Sequence, residues 1–227
     1  MPKNAVPRKK SGQVTTLDVI EILREHIRLG RLVPGQRLVE VDIVRETGAS
    51  RGKVREALKK LETEGIVSIE EFRGASVRQL SMDEVRQIYK TRMALEGLLA
   101  GEFAESANET QKKNLQQIQA KMDALENSGD HRRFGRLNHD WHLQIIEGSG
   151  NQYAAHFLTQ LTVPVYQLLF TSFYSSTRIA DANADHKIIT RAILEGKASV
   201  AEKTMRQHIK DALGALIDME KKRHNDS

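Results

Sequence analysis

The 227-residue sequence contains no cysteine, so it can form neither disulfide bonds nor metal sites made of thiolates. It also contains no apolar run approaching the roughly 20 residues that a membrane-spanning helix needs. The N-terminus lacks the hydrophobic core of a secretory signal. Together these absences predict a cytoplasmic protein with no membrane partner.

Positive charge is distributed unevenly along the chain. Residues 1–80 contain 16 Lys and Arg against 11 Asp and Glu, whereas residues 81–227 contain 19 of each kind. The net charge of +5 therefore lies in the first third of the chain, while seven of the eight histidines lie in the remainder. This division predicts two domains, of which the first binds a polyanion.

Residues 39–64 have the pattern of two helices joined by a tight turn. Gly48 suits the positive φ of such a turn, and Ser50 is a suitable N-cap for the second helix. Arg51 and Arg55 lie four residues apart on one side of that helix, where a helix-turn-helix protein contacts base edges. The alternative is a pair of packed helices with a solvated basic face. The apolar face of the second helix comprises Val54, Ala57, Leu58 and Leu61.

A β-hairpin is predicted directly after this helix. Residues 66–69 and 75–77 are rich in β-branched residues and flank a polar tip, as the two strands of a wing would. Arg73 and Gly74 lie at the tip, where they suit the minor groove or a phosphate.

The rest of the sequence predicts helices only. Ser81 begins a capping box, and short connections between six helices favour an antiparallel all-α bundle. The fold class is therefore mainly α: a disordered basic arm (1–12), a winged helix-turn-helix domain (13–79) and an all-α domain (80–227). Pro164 is expected to bend the fourth helix of the bundle. The six predicted helices span 81–107, 109–126, 130–148, 151–174, 181–195 and 197–223.

Three histidines, His142, His186 and His208, lie on the apolar faces of three different predicted helices. A buried neutral imidazole needs partners for both ring nitrogens, so three of them in one core are costly unless they share a ligand. One divalent ion, such as Zn²⁺, Ni²⁺ or Mn²⁺, would satisfy all three together. The alternative is three core histidines with separate hydrogen bonds.

Three runs in the first domain match the pattern of a known family: GRLVPGQRL, GASRGKVREALKKLETEGIV and RGASV, between residues 15 and 77. They resemble the winged helix of the GntR family of bacterial transcription factors. The resemblance implies that Arg51 and Arg55 contact the operator, with Gly74 as the wing glycine. Lys53 and Arg73 complete the predicted DNA-binding residues.

Four runs in the second domain carry another resemblance: residues 89–96, 138–142 with 149–151, 185–189 and 205–209. They resemble the FCD effector domain of the FadR subfamily of GntR regulators, and six helices are typical of its VanR-like branch. The resemblance implies that Asn138 binds a divalent metal together with the three histidines. It also implies that Arg92 binds the carboxylate of a small organic acid; the alternative for Arg92 is a helix-surface ion pair with Glu96.

The chain is thus predicted to be a transcriptional regulator and not an enzyme. We expect a homodimer that binds a palindromic operator in double-stranded DNA and is a repressor released by a small carboxylate effector. Two alternatives remain open from the residues alone. One is an enzyme whose three-histidine metal site activates water. The other is a regulator that senses the metal itself.

Overall fold

The computed structural model describes residues 14–161 and 176–225, which fall into two compact units, Met1–Gln79 and Leu80–Ser227. The predicted arm over residues 1–12 and the predicted bend at Pro164 lie outside the described residues. In the parts of the chain that are described, every helix is too short or too polar to cross a bilayer.

The first unit is built on three helices, α1 (Thr16–Arg28), α2 (Glu40–Thr47) and α3 (Arg51–Thr63). Gly48 ends α2 with a φ of 73°, in the left-handed region that a residue without Cβ adopts easily. Ser50 caps α3 by accepting a hydrogen bond from the backbone of the first turn. The predicted helix-turn-helix is confirmed. Its core contains Val19, Ile20, Leu23 and Ile27 of α1 together with Val54, Ala57, Leu58 and Leu61 of α3.

A three-stranded antiparallel sheet completes this unit. The strands β2 (Val67–Glu70) and β3 (Gly74–Val77) form the predicted wing, and β1 (Arg37–Leu38) pairs with the other edge of β3. The pairing of β1 with β3 was not predicted from the sequence. The reason is that this short strand finds its partner nearly forty residues away, beyond the reach of any local pattern.

The second unit contains six helices within its described residues, in agreement with the predicted all-α class. The fourth helix is described only to residue 161, so the predicted stretch from 162 to 174 lies outside the described residues. The fifth helix already includes Ser176, five residues before its predicted start. The helices are α4 (Met82–Ser106), α5 (Glu109–Asp123), α6 (His131–Gly148), α7 (152–161), α8 (Ser176–Leu194) and α9 (Ala198–Asn225).

The two longest helices, α4 and α9, pack against each other most extensively. Gly97 of α4 allows the close approach, because a Cβ there would overlap the stem of Arg206 on α9. The largest buried side chains of the unit include Trp141, Tyr89, Phe103 and Phe134. Several polar side chains are buried in the same unit, namely Arg92, Glu96, Asn138, His142, His186 and His208.

We expect Gly148→Ala to destabilise the helical unit by about 1–3 kcal/mol, because the added methyl would overlap the fully buried ring of Phe103. Gly214→Ala is the matched control, since a Cβ at this position in α9 meets nothing within 4 Å. That change should instead stabilise the helix by roughly 0.5–1 kcal/mol. Urea unfolding of both variants measures the difference, and equal effects at the two positions would contradict the packing.

Candidate functional site

Helices α6, α8 and α9 each place one histidine at a shared centre. His142, His186 and His208 are buried, and one ring nitrogen of each lies within 4.8 Å of the others. The Nε2 atoms of His186 and His208 are 3.2 Å apart. Two nitrogens bound to one ion at about 2.0–2.1 Å would be separated by roughly 3.0–3.4 Å, so this spacing fits a metal centre.

Two of the three imidazoles face carboxylates through their other nitrogen. Oε2 of Glu96 lies 2.8 Å from Nδ1 of His142, close enough for an ion pair but without the alignment of a hydrogen bond. Oδ2 of Asp185 lies 3.3 Å from Nδ1 of His208. A carboxylate on Nδ1 favours the tautomer that leaves Nε2 available to a metal. The sequence did not predict that Glu96 and Asp185 face histidines, although each lies in a run that carried the resemblance.

Asn138 is also buried, on the same helix as His142 and one turn earlier. Its Oδ1 has no hydrogen-bond partner among the described residues. A buried carbonyl oxygen without a hydrogen-bond donor lowers the stability of the folded state. This unpartnered acceptor, together with three converging imidazoles, fits a site for a divalent cation with mixed nitrogen and oxygen ligands.

Arg92 of α4 is held in a buried ion pair. Its Nε and Nη2 donate to Oε1 of Glu96 at 2.8 and 2.7 Å, and its Cζ lies 5.0 Å from the ring centre of Tyr89. The pairing with Glu96 that the sequence allowed is therefore present. The pair does not lie on the helix surface, where that alternative placed it, because Arg92 and Glu96 are only 4% and 2% exposed. Glu96 thus contacts Arg92 with one oxygen and His142 with the other.

Burial and charge determine how the site titrates. Burial raises the pKa of Glu96, but the opposite effect of Arg92 and His142 is larger, so the pKa is lowered to about 2. Burial lowers the pKa of His186 well below its usual 6.5, and the neighbouring imidazoles act in the same direction. Burial also lowers the pKa of His208, against a smaller opposite effect of Asp185. His186 and His208 are therefore neutral at neutral pH, which is the form that binds metals.

The predicted DNA-binding residues of α3 differ in what they contact. Arg51 is exposed at the first position of the helix. Arg55 is 68% exposed, yet its Nε lies 2.9 Å from both carboxylate oxygens of Glu40 on α2. Lys53 donates to the backbone oxygen of Val14 at 2.8 Å. Arg51 is thus open to solvent, whereas Arg55 is paired with Glu40.

The wing tip presents Arg73 and Gly74 as predicted, and beside them a residue that sequence reasoning missed. Arg73 is 83% exposed and pairs with Glu70 at 3.2 Å. Gly74 has a φ of 79°. Phe72 is 96% exposed with a φ of 63°, a conformation that side-chain-bearing residues adopt rarely. In the sequence, Phe72 could have been recognised as an aromatic residue inside an otherwise polar loop.

Two family models match the chain. The model described as "Bacterial regulatory proteins, gntR family" matches residues 15–77, and the model described as "FCD domain" matches residues 87–211. The second match alone covers more than half of the chain. All residues of the histidine centre, and those of α3 and the wing tip, lie within these two ranges.

Curated relatives and solved structures agree with both matches. The chain is 27% identical to the "Probable D-xylose utilization operon transcriptional repressor" of Paenarthrobacter nicotinovorans, over 88% of this chain and 85% of that protein. It is 25% identical to the HTH-type transcriptional repressor GlaR of Escherichia coli, over 86% and 93%. The structure of Escherichia coli McbR/YncC aligns with a TM-score of 0.81 at 19% identity, over 90% and 98%, which shows a shared fold.

The metal-free protein should lose stability as the pH falls below about 6.5, because the unfolded chain then protonates His186 and the folded chain does not. One such group lowers the free energy of unfolding by up to about 1.4 kcal/mol per pH unit. Urea unfolding of EDTA-treated protein at several pH values measures this slope. His186→Leu should reduce it, whereas His156→Asn, at an exposed histidine of α7, should not. Identical slopes in all three proteins would contradict the assignment.

Proposed function

The chain belongs to the GntR family of bacterial transcriptional regulators and carries an FCD domain, and from this membership we propose that it is a repressor released by a small carboxylate effector. The effector site would lie at a metal centre within the helical unit. Relatives that bear the name repressor support the direction of the response. The same membership argues against the metal-dependent enzyme, since family and relatives are regulators.

The observation that carries the proposal is the position of Glu96 between the histidine centre and Arg92. Its two carboxylate oxygens contact His142 and Arg92, respectively. A ligand that changes the charge near His142 or Arg92 therefore also affects the other of these two residues through Glu96. All three side chains are buried, and charges interact strongly at low dielectric. A metal ligand and a guanidinium partner are thereby combined in one site.

In the proposed site, a divalent ion would be held by His142, His186 and His208, with Asn138 as the oxygen donor. Zn²⁺, Ni²⁺ and Mn²⁺ are all compatible with this mixture of nitrogen and oxygen ligands. The bound ion would supply a positive charge that attracts a carboxylate oxygen. The protein's own part is to keep His186 and His208 neutral by burial, and to orient His142 and His208 through the two carboxylates.

The proposed effector is a small organic acid that binds between this ion and Arg92. A carboxylate gains charge-assisted hydrogen bonds from a guanidinium in a buried setting where water competes poorly. Arg178 adds positive charge to the region, since it lowers the pKa values of Tyr89, His186 and His208. The region therefore favours an anion over a neutral metabolite.

The DNA-binding form is proposed to be a two-fold dimer that reads a palindromic operator. One recognition helix contacts few base pairs, and a two-fold dimer doubles the site that is read. In each protomer Arg51 and Arg55 would contact base edges, Lys53 would add a positive charge, and Arg73 and Gly74 would approach the DNA from the wing.

Regulation requires that the acid bind more tightly to the form that does not bind DNA, typically by ~1–3 kcal/mol. Helix α4 is the proposed mediator, because it carries Arg92 and Glu96 and begins at Met82, just after the DNA-binding unit in the chain. By reciprocity, operator DNA would lower the affinity for the acid by the same factor.

Arg51→Ala and Arg55→Ala should each weaken operator binding by roughly 5- to 150-fold, since an arginine contact to a guanine edge contributes ~1–3 kcal/mol. Both side chains are exposed, so the fold should not change. Gel-shift titration measures the affinity and the number of protomers per operator. Arg136→Ala, at an exposed arginine of α6, is the control. Wild-type affinity in both α3 variants would refute the recognition surface.

A carboxylate effector should raise the melting temperature of the metal-loaded protein, and less so after treatment with EDTA. Arg92→Lys should weaken this response while metal content stays near that of the wild type. We choose lysine because Arg92→Ala would leave the buried Glu96 carboxylate unpaired, at a cost of about 3–5 kcal/mol. Thermal shift with a panel of mono- and dicarboxylates is the measurement, followed by gel shifts with the hits.

Three results would contradict the effector model. They are a panel without a single stabilising acid, equal responses of the wild type and Arg92→Lys, and hits that leave operator binding unchanged. Release of the operator by metal alone, with no acid present, would identify the ion itself as the signal.

A further inference from the structure

The three imidazoles of the histidine centre are oriented in two different ways. Carboxylates face the Nδ1 atoms of His142 and His208. His186 has no such partner: its Nδ1 is buried and makes no hydrogen bond within the described part of the chain. The contact of its Nε2 with Nε2 of His208, at 3.2 Å, lies within the histidine centre itself, so packing must fix the Nδ1 side of this fully buried ring.

Outside the histidine centre itself, the ring of His186 packs against Trp141. The two ring centres are 4.5 Å apart with the planes tilted by 46°, and the indole also lies 5.0 Å from the ring of His142. Trp141 is fully buried and is the only tryptophan of the sequence. An aromatic wall at this distance restricts how far an imidazole can rotate.

A chain of buried hydrogen bonds holds Trp141 in turn. Its Nε1 donates to Oγ1 of Thr190 at 3.0 Å, and that hydroxyl donates to Oε1 of Gln119 at 3.2 Å. Nε2 of Gln119 donates to Oδ1 of Asn183 at 2.9 Å and to Oδ1 of Asp123 at 2.8 Å. We call Trp141, Thr190, Gln119 and Asn183 the indole ladder.

The outer end of the indole ladder is anchored by charge. Nδ2 of Asn183 donates to Oδ1 of Asp123 and to Oε2 of Glu126, at 2.9 and 2.6 Å. Lys187 donates to the same oxygen of Glu126 at 2.7 Å. Each donor in this series thus has an acceptor, and the series ends at the carboxylates of Asp123 and Glu126. The buried inner hydrogen bonds, from Trp141 to Asn183, form the rigid part of the network.

The indole ladder and His186 share one face of α8. Asn183, His186 and Thr190 recur at spacings of three and four residues, so they are stacked on one side of the helix. The ladder therefore connects that face of α8 to Gln119 on α5 and to Trp141 on α6. Both the backbone position and the ring orientation of His186 depend on this connection.

We propose that the indole ladder positions His186 for metal binding, with Thr190 as the residue that fixes the indole. The proposal rests on the proposed metal centre and assigns to Thr190, Gln119 and Asn183 a role in metal affinity. Glu96 faces His142 and Asp185 faces His208, and in this role Trp141 does for His186 what these carboxylates do for the other two imidazoles. The competing explanation is that the ladder contributes only to the general stability of the core.

The test replaces Thr190 in two ways and measures binding of Co²⁺ against a competing chelator. Thr190→Val keeps the shape of the side chain and removes the hydroxyl, so Co²⁺ affinity should fall roughly 10- to 100-fold, as for other groups that orient metal ligands. Thr190→Ser keeps the hydroxyl and should restore most of the affinity. The visible spectrum of bound Co²⁺ should change in the valine variant and return in the serine variant, since it reports ligand geometry.

Trp141 provides a second measurement that needs no metal. As the only tryptophan, it accounts for the whole indole emission of the protein. Loss of the hydrogen bond to Thr190 should shift the emission maximum of metal-free Thr190→Val, but not that of Thr190→Ser. Trp141→Phe, which keeps a ring and removes the donor, serves as the second binding variant if Thr190→Val folds poorly, and it too should weaken Co²⁺ binding.

Leu99→Ala is the control for general destabilisation. Leu99 is fully buried in a separate apolar cluster with Ile146, Ala154 and Leu158. Its truncation should lower the melting temperature and leave Co²⁺ affinity unchanged. An equal loss of affinity in Leu99→Ala and Thr190→Val would overturn the proposal in favour of general stability.

The remaining outcomes separate this proposal from the proposed metal centre. Wild-type affinity and spectrum in both Thr190→Val and Trp141→Phe would overturn the positioning role alone and leave the metal centre intact. A wild-type protein that binds no Co²⁺, Zn²⁺, Ni²⁺ or Mn²⁺ would overturn the metal centre, and the positioning role with it.

Discussion

A buried carboxylate needs partners, and the helical unit is arranged to supply them to Glu96. Without compensation, burial would favour its neutral form; Arg92 and His142 instead lower its pKa to about 2. Satisfying this one charge joins a guanidinium on α4 to an imidazole on α6. Because removing Arg92 would leave this buried carboxylate without its guanidinium partner, the packing of these helices and the chemistry of the site are determined together.

Local signals predicted most of the fold. The capping residues Ser50 and Ser81 begin helices where the sequence placed them, because a cap acts within a single turn. The short strand β1 was not predicted as part of the sheet, and α8 extends to an earlier residue than its pattern indicated. Both depend on contacts with segments distant in the chain, which outweigh local preference when they bury apolar surface.

The site was predictable where one helix face determines it, and unpredictable where several helices do. His142, His186 and His208 each lie on an apolar face, so their burial follows from periodicity alone. Glu96 and Asp185 are contacts across helices, and which acidic residue meets which imidazole depends on how the helices are rotated. Arg92 illustrates the limit: its spacing to Glu96 allowed a surface ion pair as an alternative, but a helix pattern alone did not indicate that the pair is buried.

Charge balance explains why a metal and an acid would act together in the proposed site. Arg92 and Glu96 neutralise each other, and burial keeps His186 and His208 uncharged, so these four groups together carry no net charge. A divalent cation bound to the imidazoles would leave positive charge that only an anion can compensate at low dielectric. An acid bound there should in turn tighten the hold on the cation, since coupling between two ligands is reciprocal. The proposed response of this site therefore depends on both ligands.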